Sequence, residues 1–293
     1  MNRRSLMIGA TAAALCPGFG RAQTLWSGVA LGADVTIALG GDAERARATL
    51  TRIRSLLDEI EQDFSLYRPG SNLSRLNAGQ AVVPTAHMAR VLSLCTRMHI
   101  ATGGRFDPSV QPLWTALAQG RDPGAVRGLV GWRPLEVTEG LIRLSPGQSL
   151  TLNGIAQGYA TDAVRALLQA RGYRDLLVEV GEMAALGGPF RLALSDPDAG
   201  ILGHFGLKNR ALAVSSARAT LIGGHPHLLS PHGDAPIWST VAVEADSAAV
   251  ADALSTGWSF LRPDQIARAK DRMPGVGRVW LVSPGGELQT IGA

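Results

Sequence analysis

The chain has 293 residues, of which 46% are hydrophobic and 18% charged, enough apolar material for one large domain or two small ones. Its formal net charge is only +4. The lysines are just Lys208 and Lys270, the arginines are scattered, and no basic stripe interleaved with aromatics occurs, which argues against nucleic-acid binding.

The N-terminus reads as an export signal. Asn2-Arg3-Arg4-Ser5-Leu6-Met7 is basic, an apolar run follows to Leu15, and Gly20-Arg21-Ala22 offers small residues for cleavage. Adjacent arginines favour the twin-arginine route, and the run is too short to make a stable transmembrane anchor. Leu15 stands where a lipoprotein signal wants a small residue before Cys16. The expectation is a signal peptide over residues 1–22 and a periplasmic mature chain over 23–293. Cys95 is then the only cysteine left, so no internal disulfide can form. Its apolar helical surroundings mark it as core.

In the mature chain, residues 29–39 alternate like a strand, with Gly32 inside it. Asp42 to Glu61 carries Leu50, Ile53, Leu57 and Ile60 at helical period. A loop runs from Arg68 through Asn72, and Thr85 caps a second helix reaching about Ala101, with Val91, Leu94 and Met98 inward. Thr102 to Trp114 reads as an irregular loop, the kind of segment where site residues tend to live. Asp122-Pro123 starts a helical turn. Residues 135–137 and 141–144 form an expected hairpin, and Gln157 to Ala170 is an amphipathic helix.

Strands follow at Leu176–Val180, Phe190–Leu194, Ala211–Val214 and Thr240–Glu244. After them come a helix from Asp246 to Phe260, another over about Pro263–Asp271, and a closing strand at Val279–Val282. There is no internal repeat and no dividing linker. The pattern predicts a single compact α+β domain with mixed or antiparallel sheets and flanking helices.

Two stretches carry chemistry. In Val250-Ala-Asp252-Ala-Leu-Ser-Thr256, the Asp252 carboxylate and the Thr256 hydroxyl fall one helical turn apart on one face. Two hard oxygen donors so placed suit Mg²⁺, although a solvated face or a local hydrogen bond has the same spacing. Leu152-Asn-Gly154-Ile-Ala-Gln157-Gly158-Tyr159 is a strand, a turn of small residues and a helix start. Such a turn brings bare backbone to a ligand and aims a helix N-terminus at an anion, or is a plain connection.

Taken in order, six segments resemble the ApbE family of FAD:protein FMN transferases: Leu31-Gly32; Phe64-Ser-Leu-Tyr67 with Ser71 to Asn77; Gly104-Arg-Phe-Asp107-Pro-Ser-Val110; Leu152 to Asp162; His227-Leu-Leu-Ser-Pro231; and Ala251-Asp252-Ala-Leu-Ser-Thr256. The resemblance covers essentially the whole mature chain. It implies an FAD substrate, Mg²⁺, and transfer of FMN to a threonine or serine of a partner, an acceptor flavoprotein domain on a membrane-associated redox protein.

It further implies residue roles. Leu31 lines the flavin site, Tyr67 packs on FAD, and Arg105, Phe106 and Asp107 hold it from their loop. Thr151, Gln157 and Leu229 stand at flavin-contacting positions. Mg²⁺ falls to the Gly154 carbonyl and to Asp252 and Thr256, with Ser255 nearby. His227 assists the acceptor hydroxyl, and Asp252 is the other catalytic residue. The exported form and closing segment look similar to NosX-type members associated with nitrous oxide respiration.

The chain departs from the family pattern at Thr151 and Gln157, at Gly181-Glu182, at Ser215-Ser216, and at Ser230 and Ser255, where carboxylates are usual. These departures keep two alternatives open: an FAD-binding protein without transfer, and an FAD pyrophosphatase yielding FMN and AMP. His225-Pro-His227 with His232 offers a further alternative, a zinc or copper site.

Overall fold

The protein is described here by a computed structural model covering residues 23–133, 136–138 and 140–292. The expected signal peptide over 1–22, and Leu135 at the head of the expected hairpin, lie outside these residues.

The first two strands, β1 (Gln23–Ala30) and β2 (Ala33–Gly40), form a hairpin in which Ala30 faces Ala33 across Leu31-Gly32. Both turn residues are left-handed, with φ of 50° and 78°, as a two-residue hairpin turn requires. This corrects the reading of residues 29–39 as one strand. Apolar alternation resumes immediately after the turn, so the pattern alone does not mark the reversal.

Along the rest of the chain, the strands are β3 (Glu136–Thr138), β4 (Leu141–Arg143), β5 (Leu176–Val180), β6 (Glu182–Leu186), β7 (Phe190–Asp196) and β8 (Gly200–Leu207). They continue with β9 (Ala211–Ser216), β10 (Leu221–Ile222), β11 (His225–Pro226), β12 (Thr240–Ala245), β13 (Val276–Val282) and β14 (Leu288–Ile291). Eight of them make one sheet in the order β1-β2-β5-β6-β9-β12-β13-β14. Every neighbouring pair in it is antiparallel. The remaining strands pair as β3-β4, β7-β8 and β10-β11.

The period of two sorts the central strands onto two faces. Ala184, Ala211, Ala213, Val241, Val243, Val279 and Leu281 join the large core that contains the helices. Their neighbours Met183, Ala185, Leu212, Ala242 and Trp280 form a second core with Leu192, Leu194 and Leu207 of the β7-β8 hairpin. Both faces are therefore covered, and β6 and β12 are buried along their whole length.

On the helical side lie α1 (Ala43–Phe64), α2 (Asn72–Asn77), α3 (Ala86–Ala101), α4 (Gln111–Ala118), α5 (Ala156–Ala170), α6 (Ala248–Trp258) and α7 (Pro263–Lys270). The stripe Leu50, Ile53, Leu57 and Ile60 of α1 is buried as its period demands. Thr85 caps α3, accepting the Met88 N–H at 3.0 Å. Cys95 is fully buried, and burial pushes its thiol up, out of reach of nucleophilic chemistry. The stretch expected as an irregular loop to Trp114 is instead a 3₁₀ turn, Pro108–Val110, running into α4. Both prolines sit in first turns, where the missing N–H costs nothing.

The contact that orients the rest is the crossing of α5 and α6. Asp162 of α5 accepts the Ala248 N–H at 2.9 Å, the Ala249 N–H at 3.0 Å and the Ser247 hydroxyl at 2.6 Å, capping α6 from a neighbouring helix. At Gly158 the two backbones touch: a Cβ there would lie 2.3 Å from the Ala248 carbonyl oxygen. Gly158→Ala must push the helices apart and is expected to destabilise the fold by about 1–3 kcal/mol. A urea midpoint unchanged from wild type would contradict this packing.

Candidate functional site

The loop leaving α3 is built before any ligand arrives. Gly103 and Gly104 adopt φ of 59° and 82°, and the Thr102 hydroxyl donates to the Met98 carbonyl at 2.8 Å while accepting the Phe106 N–H at 2.9 Å. Asp107 uses both carboxylate oxygens inside the loop. Oδ1 accepts the Ser109 N–H at 2.8 Å and its hydroxyl at 2.6 Å, and Oδ2 accepts the Trp132 N–H at 3.1 Å. Arg105 and Phe106 are thereby held toward a cavity of about 290 Å³. The Arg105 Nε is buried without a hydrogen-bond partner, 3.6 Å from Asp234 Oδ2.

The opposite wall is the start of α5 and one face of α6. The Thr151 N–H donates to the Pro108 carbonyl at 2.8 Å, tying this wall to the loop. The N-cap residue of α5, Ile155, makes no side-chain capping bond, and the helix's positive end faces the Asp252 carboxylate. A Cβ on Gly154 would lie 2.9 Å from the Thr256 hydroxyl and 3.4 Å from the Phe106 ring. Only a bare backbone fits that cradle. Asp252, one turn before Thr256, is buried and accepts the Gly158 N–H on Oδ2 at 3.0 Å. Burial raises its pKa, and the Gly158 bond offsets part of that rise.

Two further carboxylates were missed by sequence reasoning. Val180 pairs with Glu182 around Gly181, whose φ is 79°. By parity Glu182 then shares the helix-facing side of β6 with Ala184. It lines the cavity with Asp252, is 8% exposed, and accepts the Val214 N–H on Oε2 at 3.1 Å. Burial, then repulsion from Asp252, pushes its carboxyl well above the usual range. Half-buried Glu179 lines the same cavity and is also raised by burial. The available signal was the two glutamates, Glu179 and Glu182, interrupting the apolar run Leu176–Leu186.

His227 closes the site. Its Nδ1 lies 3.2 Å from the Thr220 carbonyl oxygen, which only accepts, so Nδ1 carries the proton and Nε2 is left with its lone pair. Burial lowers its pKa, partly opposed by that carbonyl.

Of the residues singled out in the sequence, Arg105, Phe106, Asp107, Thr151, Gly154, Gln157, His227, Leu229, Asp252 and Thr256 share this cavity. Tyr67 lines an adjoining one of about 470 Å³, which shares Trp114 and Asn153 with it. Leu31 reaches the site through its backbone, its carbonyl accepting from Gln157 Nε2 at 3.4 Å. Ser255 is off the cavity wall: it is fully buried, donating to the Asp252 carbonyl at 2.9 Å and bonded to Ser215 Oγ at 2.8 Å. Among the described residues no group of three or more His, Cys, Asp or Glu is placed to hold a metal. The zinc or copper alternative at His225, His227 and His232 therefore lacks a ligand set.

The profile of the ApbE family matches residues 31–280. The chain is similar to the FAD:protein FMN transferase of Escherichia coli (strain K12), at 25% identity over 286 residues, 86% of this chain and 81% of the relative. It is 28% identical over 184 residues to the protein of the same description from Salmonella typhimurium, spanning 54% of this chain and about half, 53%, of that relative. Among solved structures, the apo form of Pseudomonas stutzeri flavinyl transferase ApbE superimposes with a TM-score of 0.77 at 23% identity, over 93% of this chain and 95% of that one. Flavin Transferase ApbE from Vibrio cholerae gives 0.77 at 21%, over 92% and 97%. At these identities the structural likeness speaks for the fold.

The environment of His227 has a measurable consequence. A histidine pKa lowered by folding means that the folded state binds fewer protons than the unfolded chain. The stability it lends is complete above about pH 6.5 and is lost as pH falls toward the folded value. Because the raised carboxyls of Asp252 and Glu182 act in the opposite sense, the effect is read as a difference: between about pH 7 and about pH 5 wild type should lose unfolding free energy relative to His227→Gln. Parallel pH profiles for the two proteins would contradict the buried neutral ring.

Proposed function

The chain belongs to the ApbE family, and on that premise we propose that it is an FAD:protein FMN transferase. It cleaves FAD, attaches FMN through a phosphoester to a threonine or serine of an exported redox partner, and releases AMP. The observation that carries this reading is the meeting of Asp252, Thr256 and the bare Gly154 backbone at the N-terminal end of α5.

The donor set fits Mg²⁺. The Gly154 carbonyl, the Thr256 hydroxyl and the Asp252 carboxylate are hard oxygens, and the backbone of Gly154 approaches Thr256 so closely that a Cβ would not fit between them. When bound there, the ion neutralises the diphosphate and stabilises the charge that builds on the phosphoryl oxygens.

The chain's own groups do the rest. The Arg105 guanidinium, whose Nε makes no hydrogen bond, offers positive charge to the phosphates. Phe106 and Tyr67 provide apolar surface for the planar rings, and Thr151, Gln157, Leu31 and Leu229 complete the cofactor contacts. His227 Nε2 takes the proton of the acceptor hydroxyl as that oxygen attacks the flavin-side phosphorus. The bond from this phosphorus to the bridging oxygen breaks, and AMP leaves with that oxygen. Positioning and field, rather than covalent participation, supply the acceleration.

The reading includes export through residues 1–22 and an acceptor domain facing the periplasm. In support, the N-terminus carries paired arginines before an apolar run. Fusing residues 1–22 to a reporter exported only by the twin-arginine route should move it to the periplasm. Replacing Arg3 and Arg4 by lysine should retain it in the cytoplasm.

Purified protein with FAD, Mg²⁺ and a threonine-bearing acceptor peptide should yield a fluorescent covalent band and AMP, both lost on chelation. Asp252→Ala should abolish turnover, and His227→Gln should slow it by about 10²–10⁴-fold while FAD still binds. FAD bound without a band or AMP would reassign the protein to flavin binding. FMN and AMP formed without acceptor would make it a pyrophosphatase.

A further inference from the structure

The site holds a charge imbalance that Asp252 alone does not account for. Glu182 and Asp252 are 8% and 3% exposed and line one cavity. Among the described residues neither takes part in an ion pair, and the cavity's one guanidinium, Arg105, pairs instead with Asp234. Each carboxylate has a single backbone donor, Val214 N–H on Glu182 Oε2 at 3.1 Å and Gly158 N–H on Asp252 Oδ2 at 3.0 Å. Glu182 Oε1 and Asp252 Oδ1 have no hydrogen-bond partner among the described residues.

Two buried carboxylates at one cavity, each with a free oxygen and neither with a cationic neighbour, repel each other unless a cation or a proton intervenes. The fold does not force Glu182 there. The position is the first of β6, and its parity points it at α6 rather than at the β7-β8 core. An apolar residue would satisfy the same packing.

We propose that Glu182 is a binding residue of the magnesium site, supplying its second negative charge through the oxygen that the Val214 amide leaves free. The proposal rests on the Mg²⁺ reading of the site. It assigns Glu182 to holding the ion, and the acceptor's proton remains with His227. Ligand charge count sets the affinity of such sites, so Glu182 tunes the Mg²⁺ concentration at which the protein becomes competent.

The test is calorimetric titration of MgCl₂ into FAD-loaded protein without acceptor, for wild type, Glu182→Gln and Glu182→Asp, alongside melting of the metal-free proteins. Glutamine keeps the shape and the acceptor for Val214 but removes the charge. It is expected to weaken Mg²⁺ binding by about 10–100-fold while melting no lower than wild type without metal. Glu182→Asp, which keeps the charge, is expected to lose less. A glutamine variant that binds Mg²⁺ like wild type, or an aspartate variant no better than glutamine, overturns the assignment. Wild type taking up no Mg²⁺ at millimolar concentration overturns the metal reading itself, and Glu182's role with it, a result distinct from the other two.

Discussion

Helix α6 is held by α5 at two points, and the candidate site inherits its geometry from that grip. The Asp162 carboxylate caps the start of α6 through two backbone amides and one hydroxyl. One turn earlier on α5, Gly158 lets the backbones meet and donates its own N–H to Asp252. Hydrogen bonds to charged groups contribute about 1.5–3 kcal/mol each, so the Asp162 cap is a strong local constraint on where α6 begins. Asp252 is therefore set by backbone contact and core packing rather than by a loop, which is how a binding group is kept near its working geometry. The same junction places the Asp252 carboxylate at the positive end of α5, where the Gly158 N–H offsets part of the rise that burial causes.

The second determinant is the sheet. The β7-β8 hairpin covers one face and the helices the other, and Glu182 and Ser215 of the central strands line the cavity. Parity sends Glu182 and Ser215 to the helix side, Ser215 within 2.8 Å of Ser255 Oγ and 3.4 Å of Thr256 Oγ1. Buried acidity and buried hydroxyls are thus concentrated at one spot by strand register, and the electrostatics of the site follow from an architectural rule. Burial raises the pKa of both Glu182 and Asp252, and repulsion from Asp252 raises that of Glu182 further.

Much of this was legible in the sequence, and the failures are physically specific. The amphipathic helices at residues 43–64 and 156–170 declare themselves because their apolar stripes are strongly periodic. The one-turn spacing of Asp252 and Thr256 is a local property and survives into the structure. The first hairpin was misread because Leu31 takes a left-handed conformation that its side chain does not advertise. Helix α4 was read as loop because Pro108 and Pro112 look like breakers, although first-turn proline is compatible with a helix. Glu182 was unreadable for a deeper reason: its meaning depends on a residue seventy positions away, and only the register of β5, β6 and β9 brings the two to the same cavity.

The loop from Thr102 to Asp107 has one more implication. Asp107 spends both oxygens on Ser109 and Trp132, and Thr102 clasps the Phe106 amide, so the segment is already folded into its final shape. Freezing a backbone residue takes about 1–2 kcal/mol of entropy, and here that loss is incurred when the protein folds. Association with a long, many-torsion dinucleotide then has to immobilise only the guest, since the host's half of the encounter is settled in advance.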